Sequence, residues 1–309
     1  MTGNRPLMVL IGPTAVGKTA YAIPLARALD GEIVSADSRQ TYRHMDVGTA
    51  KPTLEQQAAV THHLIDVVTP DQNLSLAEYQ RLAYAAIDGI HARGRLPLLV
   101  GGTGQYVTAV IEGWVIPEVP PNDMLRAELE VFAAERGPEA LLARLGELDP
   151  EAAAKIDGRN VRRVVRAIEI VQATGQPMDY AQRKKPPPYL LSRHGLTIDR
   201  ERLYQRADAR IDDMLRAGFL EEVRRLLALG YARDLPAMSG LGYRELAAFL
   251  AGETTLDEAL AATRTATHDF IRRQYTWFRG HGAGMAWHDI ETTGVDALIA
   301  AVRADLEIE

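Results

Sequence analysis

One stretch, Gly12-Pro13-Thr14-Ala15-Val16-Gly17-Lys18-Thr19, satisfies the pattern GxxxxGK[ST] and constrains the fold more than any other part of the chain. The pattern carries meaning only between a strand and a helix. Here Leu7 to Ile11 is a continuous apolar run that breaks at Gly12-Pro13, as a buried parallel strand entering a loop does. Lys18 to Leu29 then has apolar residues at helical spacing, at Ile23, Leu25, Ala26 and Leu29. In that setting the glycines let the backbone wrap phosphate oxygens, while the loop amides and the helix N-terminus supply partial positive charge. Lys18 adds a full charge, and Thr19 is the candidate magnesium ligand. The expected ligand is a di- or triphosphate, and the loop alone favours a nucleotide.

The remaining pattern extends this unit. Glu32 to Ala36 predicts a second strand, Ser75 to Arg93 a helix opened by a capping box (Ser75, Glu78), and Pro97 to Val100 a strand ending in the turn Gly101-Gly102. Strands alternating with helices imply an α/β fold. Its expected form is a P-loop NTPase-like parallel sheet flanked by helices, with ligands at its carboxyl edge. Pro117 to Asn122 and Arg183 to Pro188 punctuate the chain on either side of a purely helical block. The expected division is a core of residues 1–117 and 189–309, with an all-helical insertion domain at 118–188. His194 to Ile198 predicts a returning strand, Arg200 to Leu229 one long helix, and Tyr243 to Leu250, Leu256 to Phe278 and Val295 to Leu306 further helices.

Composition excludes several classes. The absence of cysteine removes disulfide frameworks and thiolate chemistry and is consistent with a reducing cytoplasm. No apolar run reaches the roughly 18 residues of a membrane span, and the N-terminus does not have the form of a signal peptide. Adjacent His62 and His63 lack a third ligand at suitable spacing, so packing or hydrogen bonding is the expected role. The net charge of −6 opposes nucleic-acid binding unless cations are concentrated locally. They are: Arg159, Arg162, Arg163 and Arg166 recur at i, i+3, i+4 and i+7, which places them along one helix face with Glu169 the only acid nearby. Arg183, Lys184 and Lys185 extend the sign, and Arg272-Arg273-Gln274-Tyr275-Thr276-Trp277-Phe278-Arg279 mixes cations with aromatics, as RNA contact or an apolar core both would. At the end of the second strand, Asp37 suits magnesium binding, proton abstraction or a turn cap.

With Ser35-Ala36-Asp37-Ser38-Arg39-Gln40 added to the phosphate loop, the chain resembles the tRNA dimethylallyltransferase family. The resemblance rests on GPTAVGKT at 12–19, SADSRQ at 35–40, MDVGTAKP at 45–52, HHLID at 62–66 and LLVGGTGQYV at 98–107. It continues with DPEAAAKI at 149–156, RRVVRAIEI at 162–170, GYRE at 242–245 and RRQYTWFR at 272–279. It implies a loop, Gly12 to Thr19, that holds the diphosphate of dimethylallyl diphosphate with Mg²⁺. The implied acceptor is N6 of the adenosine 3′ of the anticodon, within the anticodon stem-loop of tRNA. Asp37 corresponds to a general base, Thr14 to a loop hydroxyl near the bridging oxygen, and Arg210 to an arginine that steadies the diphosphate.

The implied tRNA contacts are Asp37, Ser38, Arg39, Gln40, Thr103, Arg126, Arg162, Arg163, Arg166, Gly242, Tyr243, Arg244, Arg272, Arg273, Gln274, Trp277 and Arg279. The helical insertion is expected to clamp the RNA, which must present a flipped adenine. No obligate protein partner is evident. Three places depart from the family pattern: Thr267-His268-Asp269 for Thr-Arg-Gln, Asp157-Gly158-Arg159-Asn160 for His-Pro-Asn-Asp, and Ser239-Gly240-Leu241, without a basic residue. The alternatives are an AMP or ATP prenyltransferase, a nucleotide kinase, and a non-catalytic NTP-dependent RNA-binding module.

Overall fold

Strand β1 (Arg5–Ile11) is buried from Leu7 onward and hydrogen-bonded on both sides, which is why its sequence is apolar without alternation. The computed structural model describes residues 5–177, 183–282 and 284–308. Around β1 are β2 (Gly31–Ser35), β3 (His62–His63), β4 (Leu96–Gly101), β5 (Tyr189–Thr197) and β6 (Ala286–Asp289). They form one six-stranded sheet in the order β3-β2-β4-β1-β5-β6, with every pair parallel.

Leu7, Val9 and Ile11 face one side of the sheet, where α3 (Leu76–Ala92) and α4 (Gly104–Glu112) bring Tyr79, Ile87, Ile90 and Val107. Met8 and Leu10 face the other side, against Leu25 of α1 (Lys18–Ala28) and Leu298 and Val302 of α13 (Val295–Leu306). A short helix, α2 (Leu54–Ala59), precedes β3. Among the described residues no helix is long and apolar enough to cross a membrane.

A third apolar cluster, outside the sheet, gathers Tyr42, Met45, Phe219, Val223, Met238, Tyr243 and Leu246. It is supplied by α9 (Arg200–Arg216), α10 (Phe219–Ala228) and α11 (Tyr243–Leu250), with α12 (Leu256–His281) following. The single helix expected over Arg200 to Leu229 is broken at Gly218, whose φ of 97° is left-handed and unfavourable for other residues. Beyond the break, α10 sets Phe219 and Glu222 against residues 45–48.

Glu222 is 2% exposed, and its carboxylate accepts from the backbone N–H of Asp46 (2.8 Å), Val47 (2.8 Å) and Gly48 (3.1 Å) and from the Tyr243 hydroxyl (2.6 Å). Lys51, also buried, donates to the Tyr42 carbonyl and to the carboxylates of Asp46 (2.5 Å) and Asp66 (2.6 Å). The MDVGTAKP and HHLID segments therefore build a scaffold around the end of β2.

The contacts divide the chain into residues 1–111 with 188–309, and residues 112–187. The second unit packs α5 (Asp123–Arg136), α6 (Pro138–Leu148), α7 (Pro150–Lys155) and α8 (Val161–Thr174) around Leu129, Leu141, Leu145, Val164 and Ile168. It begins earlier than the prolines suggest. Lys185 donates to the Gly113 carbonyl (2.7 Å) and Val115 to that of Arg183 (2.9 Å), so the ends of the unit pair with each other. Residues 178–182 of the expected block lie outside the described residues.

Strand β5 is also longer than expected, pairing with β1 from Tyr189 to Gly195. Its polar Ser192 and His194 break the apolar pattern, yet both are buried: Ser192 Oγ lies 2.7 Å from His194 Nε2 and 2.8 Å from Asp305, and His194 Nδ1 lies 2.9 Å from His288.

Replacing Glu222 by alanine strands four donors at once. The substitution should lower unfolding stability by about 3–5 kcal/mol, read as the urea midpoint at unchanged slope. A loss below about 1 kcal/mol would show that residues 46–48 are held by other means.

Candidate active site

Four segments meet at the carboxyl edge of the sheet: the phosphate loop after β1, Asp37 after β2, Gly101 to Gly104 after β4, and the face of α9 that follows β5. The phosphate loop turns at Gly17, with φ 102°, into the first turn of α1. Lys18 folds back to donate to the carbonyls of Gly12 and Pro13 (2.9 Å each). Arg206 Nε donates to the Ala15 carbonyl (3.2 Å) from α9. The Thr19 hydroxyl makes no hydrogen bond to protein among the described residues.

Gln274 of α12 joins two of these segments. Its Oε1 accepts from the Thr14 N–H (2.9 Å) and its Nε2 donates to the Gly102 carbonyl (2.8 Å). A side chain at Gly102 would place its Cβ 2.6 Å from that Nε2. Thr103 joins another pair: its Oγ1 accepts from the Ser38 N–H (3.0 Å), and its own N–H donates to the Ala36 carbonyl (3.1 Å). Asp37 caps the turn after β2, its Oδ1 accepting from the Arg39 N–H (2.9 Å), while Oδ2 has no hydrogen-bond partner among the described residues. Turn cap and candidate base are thus two oxygens of one carboxylate.

The charges are set by burial. Desolvation draws the Lys18 ammonium down to about 8, against the pull of Asp37 and with a further push from Arg210. Arg210 is lowered from its ordinary value by burial, with Asp37 opposing. Two desolvated cations thus face one carboxylate, and an anion would restore the balance. Beside Thr14 and Arg210 opens a cavity. Its walls are Ala207, Ile211 and Met214 on α9, Phe219 and Leu241, and Thr263 and Thr267 of α12. Both threonine hydroxyls donate to carbonyls of their own helix (2.8 Å each), so the lining is apolar except at its phosphate end.

Sequence reasoning missed Arg206 and these walls. Arg206 and Arg210 are i, i+4, and Ala207, Ile211 and Met214 are i, i+4, i+7, so one helical wheel of α9 carries the signal.

Several residues expected to touch RNA are committed elsewhere. Tyr243 is 1% exposed and bonded to Glu222; Gln274 is buried beneath the phosphate loop; the Gln40 side chain donates to the carbonyls of Thr49 (3.4 Å) and Ala50 (3.2 Å). Arg39 donates to the Pro236 carbonyl (2.8 Å). Gly242, at φ 83°, opens α11. Arg244 pairs with Glu245 and Arg272 with Asp269, though both arginines stay exposed, as do Arg273 and Arg279. The Trp277 ring is stacked on His281 at 4.1 Å and its indole N–H donates to Thr108, whereas Phe278 is core. At the family departure, His268 meets Asp208 (2.9 Å) and stacks on Tyr204.

The arginine stripe of the second unit is not uniform. Glu169 is 1% exposed, and it receives Arg126 through two hydrogen bonds (3.0 and 2.9 Å), Arg166, and the Asn122 N–H (2.7 Å). Burial pushes the Glu169 carboxyl up, but these donors together hold it below its usual range. Arg126 and Arg166 therefore serve the fold, because an unpaired buried carboxylate would be costly. Arg159 pairs with Asp157 at the surface. Arg162 and Arg163 are exposed and have no acidic partner among the described residues. His63 contacts Glu32 (2.6 Å) and His62 the Val60 carbonyl (2.8 Å).

The profile of the family described as IPP transferase matches residues 40–281. The chain belongs to this family. It is 57% identical over 274 residues to a tRNA dimethylallyltransferase of Roseiflexus sp. (strain RS-1), covering 89% of this chain and 90% of that protein. The figure is 49% over 294 residues for one of Thermomicrobium roseum, covering 95% and 89%. Among solved structures, the full-length tRNA isopentenylpyrophosphate transferase of Bacillus halodurans superposes with a TM-score of 0.74 at 40% identity, over 98% of this chain and 97% of that one. The IPP transferase sheet is thus of the P-loop NTPase type expected from Gly12 to Thr19.

An anion at this loop depends on the Lys18 charge, which the free protein loses as pH rises through about 8. Inorganic diphosphate should therefore bind more weakly above pH 8, by up to about tenfold per pH unit, and Lys18→Arg should abolish that decline. Affinity that stays flat from pH 7 to 10 in the wild type would remove Lys18 from the anion site.

Proposed function

We propose that this chain transfers a dimethylallyl group from dimethylallyl diphosphate to N6 of the adenosine 3′-adjacent to the anticodon in tRNA, releasing diphosphate. The observation that carries the reading is the cavity beside Thr14 and Arg210: cationic where it meets the phosphate loop, apolar beyond. An allylic diphosphate has that polarity, whereas a nucleoside would leave its base and ribose without hydrogen-bond partners among Ile211, Met214, Phe219 and Leu241. The names of the relatives agree with this donor and acceptor. A chain without cysteine suits the reducing cytoplasm, where tRNA is available.

In the reaction the allylic C1–O bond breaks, its electron pair leaves on the diphosphate, and the N6 lone pair forms the new C–N bond. The N6 proton passes to Asp37 Oδ2, the oxygen the turn leaves uncommitted, a role typically worth about 10²–10⁴ in rate. Lys18, Arg210 and the loop amides stabilise the charge developing on the leaving group. Thr19, whose hydroxyl is uncommitted at the first turn of α1, would hold Mg²⁺, and the ion would add further positive charge there. Arg162 and Arg163 are the cations best placed to meet RNA phosphates, with the exposed Arg272, Arg273 and Arg279 as further candidates.

Isotope-labelled dimethylallyl diphosphate should label unmodified tRNA but not AMP in a Mg²⁺-dependent way, with Asp37→Ala sparing tRNA binding and lowering turnover by about 10²-fold or more. Label on AMP alone, or ATP turnover without prenyl transfer, would replace the reading with a nucleotide-directed one. The two kinds of arginine should separate as well. Arg163→Ala should weaken tRNA binding and flatten its salt dependence at unchanged stability, whereas Arg166→Ala should lower the melting temperature of the protein. Equal effects of the two on RNA affinity at equal stability would refute the division.

A further inference from the structure

One wall of the donor cavity is fixed in place. It bears on how much of a prenyl tail can be seated, since a geranyl tail carries ten carbons where a dimethylallyl tail carries five.

The wall in question is Phe219, which belongs both to the cavity lining and to the third apolar cluster, so that behind its ring lies packed protein. The ring sits between two glycines. A Cβ at Gly48 would lie 2.1 Å from its Cε2, and one at Gly242 2.5 Å from its Cε1. The edge of the Tyr243 ring meets it at a centroid distance of 4.8 Å, and Glu222 ties Tyr243 to the amides of residues 46–48. The ring is thus confined on three sides, by backbone and by a side chain whose hydroxyl is itself bonded. A longer donor cannot displace it as it would a free rotamer.

Resting on the dimethylallyl-transfer reading above, we infer that Phe219, fixed between Gly48 and Gly242, sets the length of the prenyl donor, admitting five-carbon allylic diphosphates and excluding the ten-carbon homologue. It also gives the glycines of MDVGTAKP and GYRE a purpose: they are the space in which the ring is held.

The test is the ratio of kcat/KM for geranyl over dimethylallyl diphosphate with tRNA as acceptor. The wild type should prefer the shorter donor by about 100-fold or more, and Phe219→Leu and Phe219→Ala should each raise the ratio by at least about tenfold. Variants weakened in folding can lose turnover with both donors, so the same ratio is also measured as equilibrium binding of the two diphosphates at a temperature where each variant is folded by circular dichroism. A ratio that neither substitution moves, in turnover or in binding, overturns the assignment, as does a wild type that binds both donors equally. If the wild type prenylates no tRNA, the transferase reading fails and the binding ratio alone decides the gate.

Discussion

The carboxamide of Gln274 does what the parallel sheet cannot. Strand pairing fixes β1 beside β4 but leaves the loops that follow them free to move apart. One amide, accepting from Thr14 and donating to Gly102, sets the distance between them. Lys18 lies on the same ground: a Cβ at Gly102 would come within 3.4 Å of its Nζ. Because the amide is buried, its two hydrogen bonds have no competing water, and the geometry of the phosphate loop is transmitted from α12 rather than from the sheet alone. Thr103, bonded to Ser38, carries the constraint one loop further, to the residue beside Asp37. Phosphate loop, the turn that carries Asp37 and the glycine turn are therefore one hydrogen-bonded body.

Local chemistry was legible where it repeated or broke sharply. The phosphate loop, its flanking strand and helix, and the final helix Val295–Leu306 follow from apolar period and glycine placement. What was not legible depended on partners distant in the chain. Gln274 looks like an RNA contact in RRQYTWFR because nothing local announces Thr14, 260 residues away. Arg166 looks like part of a cationic stripe because sequence spacing gives a helix face, but not which residues of that face turn toward the buried Glu169. Ser192 and His194 hide half of β5, since buried polar residues mimic a loop until Asp305 and His288 are seen beside them. Gly218 was the readable signal passed over: a glycine in a long helical pattern, needed for its positive φ.

The electrostatics of the chain follow from this separation. A net charge of −6 coexists with exposed cations, and many arginines are already paired with an acidic neighbour, as in Arg126 and Arg166 with Glu169, Arg93 with Glu32, or Arg233 with Glu253. Counting basic residues overstates the surface available to phosphate. On α8, Arg162 and Arg163 are exposed and have no acidic partner among the described residues, whereas Arg166 of the same helix is held by Glu169.

The paired ends of the helical unit have a consequence for its history. Gly113 with Lys185, and Val115 with Arg183, bring the entering and leaving chain within one hydrogen bond of each other. However many residues lie between, the rest of the chain meets them as a single short gap, and the entropy of closing it hardly grows with what is added. Such a seam is where a chain can lengthen, shorten or exchange a whole module while the sheet keeps its register.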